Sequence, residues 1–154
     1  MFNALATADT IREMSLDDLD DVMEIEGLCF ASPWTRGIFE ETLASSISSS
    51  FIMKRGLDTV GYIILYSVAD EAHILNIAIH PRYRGEGCAA VLMRHIIDYF
   101  RKKAINEFYL EVREGNLIAI RLYQGFGFER IGIRKKYYSE TNEDALVMRL
   151  SVHS

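Results

Sequence analysis

Cysteine, proline and tryptophan are scarce in this chain, at two, two and one of 154 residues. Cys29 and Cys88 lie far apart, so neither a zinc-ligand spacing nor a disulfide framework can be assembled from them, and no metal is expected. Long hydrophobic runs are missing as well. The longest, Val60 to Ala69, is interrupted by Tyr62, Tyr66 and Ser67. It falls well short of the roughly 20 apolar residues that cross a membrane. No basic region and apolar core follow Met1-Phe2-Asn3, which makes cytoplasm the expected compartment. Neither half of the chain carries a basic surface interleaved with aromatics, so direct nucleic-acid binding is not expected.

What is present suits one globular domain over residues 1–154. Hydrophobic residues make up 49% of the chain, and the mean hydropathy is +0.04. A chain of this length sustains a core unaided, so a monomer is the default, with the oligomeric state left open. The net charge of −5 hides an asymmetry: residues 1–80 hold 13 acidic and 4 basic side chains, residues 81–154 hold 9 and 13. An acidic half attracts a basic substrate at long range. The plainer reading is that Asp17, Asp18, Asp20, Asp21 and Glu24 solvate one helix face.

The pattern alternates strands and helices. Thr7 to Met14 reads as a strand, Ser15 as a helix cap, and Leu16 to Cys29 as a helix with one apolar side. Pro33 breaks the chain, and Thr35 caps a second helix to about Leu43. Phe51–Lys54 and Thr59–Val68 form a hairpin across Gly56-Leu57-Asp58. Ala72–His80 is apolar almost throughout, which suits a central strand buried on both faces. A helix from Cys88 to about Lys103 leads to a parallel strand, Glu107–Arg113. A helix from about Leu117 to Gln124 and two antiparallel strands, Phe128–Arg134 and Ala145–Val152, complete a single α/β domain with a mixed sheet.

The most informative segment is Arg84-Gly85-Glu86-Gly87-Cys88-Ala89. It lies between the central strand and the long helix. Such a turn leaves the first N–H groups of the helix unpaired beside the positive end of its dipole. A phosphate is the natural occupant, and the two glycines let the backbone approach it. An ordinary strand-to-helix loop is the alternative. A P-loop is excluded by the missing Gly-Lys-Ser/Thr, and a dinucleotide fold would place its glycine turn earlier. Cys88 at the helix start is either a thiol with a lowered pKa or a small residue packed beneath the turn.

The segments downstream add specificity: Leu110-Glu111-Val112-Arg113, Asn116, Ala119, Tyr123, and Gly127-Phe128. Arg84, Gly87 and Ala89, with Asn116, Ala119, Tyr123, Gly127 and Phe128, resemble the two signature motifs of the GCN5-related N-acetyltransferases. The resemblance covers roughly residues 9–150. It implies a mixed, mostly antiparallel sheet with two splayed parallel strands, flanked by helices. Within the family, four further segments are most similar to enzymes that acetylate the N-terminal alanine of a small-subunit ribosomal protein. They are Phe30–Thr35, Leu75–Ile79, Leu110–Arg113, and Tyr137-Tyr138 with Glu143–Ala145.

The resemblance implies acetyl-CoA as co-substrate and a protein N-terminus as acceptor, with no metal. Backbone groups of Ile77, Ala78 and Ile79 would hold the pantetheine arm as an added strand, helped by a bulge. The turn from Arg84 through Gly85, Glu86, Gly87 and Cys88 to Ala89 would hold the pyrophosphate, and Asn116 would also contact the cofactor. Glu111 would accept the amine's proton. Independently, a carboxylate within an apolar strand calls for explanation, and partial burial strengthens it as a base. A pair with Arg113 or another cation is the competing reading. Tyr123 would protonate the departing thiolate, a phenol being protonated at neutral pH; a core tyrosine is its alternative. Trp34, Asn76, Tyr137 and Tyr138 would flank the acceptor. Ordinary loop and strand anchors remain an alternative for Trp34 and the tyrosine pair, as a solvated charge run does for Arg134-Lys135-Lys136. Transfer to lysine or to a small amine, and acyl-CoA binding without catalysis, are the other functional readings.

Overall fold

A computed structural model describes residues 9–138 and 142–152. The strands are β1 (Asp9–Glu13), β2 (Ser48–Arg55), β3 (Asp58–Val68), β4 (Glu71–Ile79), β5 (Glu107–Arg113), β6 (Glu129–Tyr138) and β7 (Glu143–Ser151). The helices are α1 (Leu19–Cys29), α2 (Arg36–Ala44), α3 (Cys88–Arg101) and α4 (Leu117–Gly125). Together the strands build one sheet in the order β1-β2-β3-β4-β5-β7-β6. Every pair is antiparallel except β4 with β5. This is the mixed sheet expected from the sequence. Thr7 and Ala8 of the expected first strand lie outside the described residues, as do residues 139–141.

Alternation along the strands divides the core in two. Phe51, Met53, Ile63 and Leu65 turn to the side where Leu92, Ile96 and Phe100 of α3 pack. Ile52, Tyr62 and Ile64 turn to the other side, against Leu19, Val22 and Ile25 of α1 and Phe39 of α2. Thr35 caps α2, its Oγ1 accepting from the Ile38 N–H at 3.3 Å. No described helix is long and apolar enough to cross a membrane.

Three expectations change. The last two strands reach Tyr138 and begin at Glu143, so the Tyr137-Tyr138 pair sits within a strand rather than beyond one. Asp18 does not merely solvate its helix: it is buried. Its carboxylate accepts from Arg12 Nη1 and Nη2, each at 2.8 Å, and from the Ser15 N–H at 2.8 Å. Finally, β4 is not buried on both faces along its length. Ala72 and Ile74 are buried, but Leu75 is exposed and Asn76 and Ile77 half-buried. The cause is topological. Parallel pairing with β5 runs from Glu71↔Glu107 to Ile74↔Leu110 and then stops.

Beyond that point the two parallel strands separate. β4 also carries a bulge there: Ile74 pairs with Leu65 and Asn76 with Ile64, so Leu75 is the extra residue. The bulge lies two residues before the Ile77–Ile79 segment in which one was anticipated. On the far side of β4, Gly61 of β3 makes the sheet possible. A Cβ at Gly61 would lie 2.5 Å from the Ala78 carbonyl oxygen and 2.6 Å from the Ile79 side chain.

Candidate active site

The separation of β4 and β5 opens a cleft of about 340 Å³. Glu111, Tyr123, Asn76, Ile77, Asn116, Trp34, Tyr137 and Tyr138 all line it. These residues come from both parallel strands, α4, the loop between α1 and α2, and β6. The cleft therefore joins both expected catalytic side chains to all four expected acceptor contacts.

Glu111 reaches the cleft because β5 alternates. Phe108, Leu110 and Val112 are buried, which turns Glu111 to the opposite face, where its side chain keeps 25% of its exposure. Its cationic neighbour is Arg134, at 3.9 Å. Arg113 instead pairs with Glu143 at 3.1 Å and covers the Tyr138 ring at 4.0 Å. The basic run is thus not wholly solvated: Arg134 faces Glu111, and Lys135 lies 3.5 Å from Asp144.

Tyr123 is held by α4, the residue 6% exposed and its ring edge-on to Phe128 at 5.8 Å. Burial, with Tyr138 nearby, pushes its phenol up to about 12, so it remains protonated at neutral pH. Asn116 is the cap of α4 rather than a residue on its face. Its Oδ1 accepts from the Ala119 N–H at 3.2 Å, which leaves Nδ2 as the group available to a ligand.

The glycine turn lies further along the same chain path and does not line the cleft. Gly85 and Gly87 both have φ of +79°, and a Cβ at either would meet nothing within 4 Å. The space over the turn is open, and the glycines serve the left-handed backbone. Gly87 is the N-cap of α3, so the first N–H groups of that helix, from Cys88 and Ala89 on, lack helical acceptors. The turn is anchored from below: Glu86 accepts from Arg55 at 2.9 Å, and Arg55 also grips Asp9 at 2.7 Å. Arg84 donates to Cys29 Sγ at 3.2 Å. Cys88 is buried, and burial pushes its thiol up; it is the packed residue beneath the turn, not an activated thiol. An unpaired strand edge after Ile74, followed by an open glycine turn at a helix start, fits a long thioester ending in a pyrophosphate. His73 is not among the residues lining the cleft; it stacks on Tyr109 with centroids 5.0 Å apart.

Glu26 was missed. It is 2% exposed and lines the cleft. Its carboxylate accepts from the Trp34 N–H at 2.9 Å, from Asn76 Nδ2 at 2.7 Å and from the Tyr62 hydroxyl. The sequence did hold a signal: Leu19, Val22 and Glu26 follow an i, i+3, i+7 spacing, which places a charge on the apolar face of α1.

A sheet splayed between its parallel strands, with this cleft and turn, is the architecture of an N-acetyltransferase. Residues 19–128 match the Acetyltransferase (GNAT) family, and the chain belongs to it. Among its relatives is the putative ribosomal protein bS18-alanine N-acetyltransferase of Bacillus subtilis, 37% identical over 97% of this chain and 99% of that one. The Escherichia coli ribosomal protein bS18-alanine N-acetyltransferase is 34% identical over 93% and 97%. The crystal structure of the Escherichia coli ribosomal-protein-S18-alanine N-acetyltransferase superposes with a TM-score of 0.89 over 95% of each chain, at 32% identity.

Proposed function

We propose that this N-acetyltransferase modifies the α-amine of a protein N-terminus beginning with alanine, on a small-subunit ribosomal protein, with acetyl-CoA as donor. The observation that carries the proposal is the single cleft joining Glu111 and Tyr123 to Trp34, Asn76, Tyr137 and Tyr138. Relatives bearing that activity in their names are similar over nearly the whole chain.

Acetyl-CoA supplies an activated thioester carbonyl. The chain supplies position and protons. The unpaired edge of β4 from Ile77 to Ile79 holds the donor's arm by main-chain hydrogen bonds, as a sheet edge holds an added strand. The start of α3 holds its pyrophosphate through the backbone from Gly85 to Ala89, with Arg84 alongside. Attack requires a neutral amine. An α-amine, with a pKa near 8, is about one-tenth neutral at pH 7, whereas a lysine near 10.4 is below about one-thousandth. Glu111 accepts the amine's proton, directly or through one water. Tyr123 delivers its phenolic proton to the departing thiolate, and burial keeps that proton in place. The thioester carbon passes from sulfur to nitrogen without an enzyme-bound acyl group.

The test is mass spectrometry of a peptide with a free N-terminal alanine, incubated with enzyme and acetyl-CoA. One acetyl group on the α-nitrogen is the expected product. Modification of a lysine in the same peptide, with the α-amine untouched, would overturn the proposal.

A further inference from the structure

A buried carboxylate is costly unless donors surround it. Among the described residues Glu26 has three, each from a different element: Trp34 in the α1–α2 loop, Tyr62 in β3 and Asn76 in β4. All three are neutral, so hydrogen bonds satisfy the charge without cancelling it. Two of the partners, Trp34 and Asn76, line the cleft with Glu26 itself.

The bond to Asn76 has a directional consequence. An ionised carboxylate only accepts, so the Asn76 amide must present its nitrogen to Glu26. Its carbonyl oxygen then points away from Glu26. Asn76 is half-buried, on the part of β4 just past the Leu75 bulge where β5 has departed. That oxygen is an acceptor beside an uncancelled negative charge, a combination suited to the N–H of a cationic amine terminus.

We infer that Glu26 is a positioning residue that locks the Asn76 carbonyl oxygen toward the cleft as the acceptor for an N–H of the incoming amine, and holds the Trp34 loop against the same wall. This rests on the proposed acceptor class and extends it with a residue and an orientation. Glutamine at position 26 would present an NH₂ to at least one of three donors. The amide of Asn76 would then lose its fixed orientation, and the cleft the carboxylate beside it, leaving Glu111.

The experiment measures steady-state kinetics with the alanine peptide, and acetyl-CoA affinity by calorimetry, for Glu26→Gln, Asn76→Ala and the double variant. Glu26→Gln is expected to raise KM for the peptide about tenfold, the size of one charge-assisted hydrogen bond. The acetyl-CoA Kd should stay within about twofold, since the carboxylate's hydrogen bonds go to Trp34, Tyr62 and Asn76 rather than to the turn or to Ile77–Ile79. Because Glu26 acts through Asn76, adding Glu26→Gln to Asn76→Ala should raise KM little further. Multiplying effects, or an unchanged KM in Glu26→Gln, would overturn the inference.

Tyr62→Phe removes a donor from the same carboxylate but keeps the Glu26–Asn76 hydrogen bond that sets the amide's orientation. It should lower Tm while leaving KM near its normal value, which separates positioning from loss of stability. A second readout does not need turnover. In ¹⁵N spectra, the two side-chain amide protons of Asn76, assigned through Asn76→Ala, should be widely separated in the wild type and close together in Glu26→Gln. If the wild type acetylates no peptide, the proposed function fails, and this spectrum still decides whether Glu26 orients Asn76. Identical Asn76 signals in the two proteins would contradict it.

Discussion

Arg134 reaches across β7 to place its guanidinium 3.9 Å from the carboxylate of Glu111. The two residues sit on β6 and β5, with β7 between them in the sheet. The same guanidinium lies over the Tyr137 ring at 4.7 Å. One side chain thus links the expected base to one wall of the expected acceptor site. Arg134→Ala should lower kcat/KM for the peptide about three- to fivefold, the scale of a half-exposed ion pair. Arg134→Lys should recover part of that loss, because it keeps the charge but stacks poorly on Tyr137. Acetyl-CoA affinity, measured in parallel, should not move.

Tyr123 offers a test by pH. Burial raises its phenol to about 12, so the proton is retained until pH approaches that value. Tyr123→Phe should therefore lower kcat by the same factor at pH 7 and at pH 9.5, about a hundredfold for a lost general acid. A factor that shrinks as pH nears 10 would place the phenol at its ordinary value and contradict the effect of burial.

Asp18 ties stability to pH. The Arg12 guanidinium, with the Ser15 hydrogen bonds, holds its carboxyl below the usual carboxylate range. A depressed folded-state pKa contributes stability that is present above the unfolded value, about 3.9, and is lost as pH falls through the folded one. Asp18→Asn should cost about 1–2 kcal/mol at pH 7. In a chain of this size that lowers Tm by several degrees, about 3–8 °C. The gap between variant and wild type should narrow below about pH 4 in paired thermal melts.

Two glycines should fail in different ways. Gly61→Ala puts a Cβ 2.5 Å from the Ala78 carbonyl oxygen. β3 and β4 must then move apart, which should lower Tm and, through Ile77–Ile79, weaken acetyl-CoA binding. A Cβ at Gly87 meets no neighbour within 4 Å, but Gly87→Val must hold a β-branched side chain at φ of +79°. Its main effect should be on acetyl-CoA binding at the turn. Melting curves and calorimetry on both variants separate the two cases.

Much of the architecture was legible because periodicity and caps agreed. Glu107–Arg113 has the ends its sequence pattern predicts, and Thr35 and the glycine turn mark real boundaries, whereas Ser15 caps a short 3-10 turn, Leu16–Asp18, that precedes α1. Three features were not legible, each because it depends on distant parts of the chain. The bulge at Leu75 is a register between β3 and β4. The exposure of Asn76 and Ile77 follows from β5 departing after Leu110. The pairing of Glu111 with Arg134 rather than Arg113 requires knowing that β7 separates their strands. Glu26 differs: its misplaced charge on the apolar face of α1 was visible, but its three partners lie 8 to 50 residues away.

The most direct test of the central claim is the single-turnover rate of Glu111→Gln at saturating acetyl-CoA and alanine peptide, with the acetyl-CoA Kd measured on the same sample. The account expects the rate to fall about a hundredfold or more, as for a lost general base, with the Kd within about twofold of wild type. A rate equal to wild type would show that Glu111 takes no proton, and that the cleft between β4 and β5 works by another group.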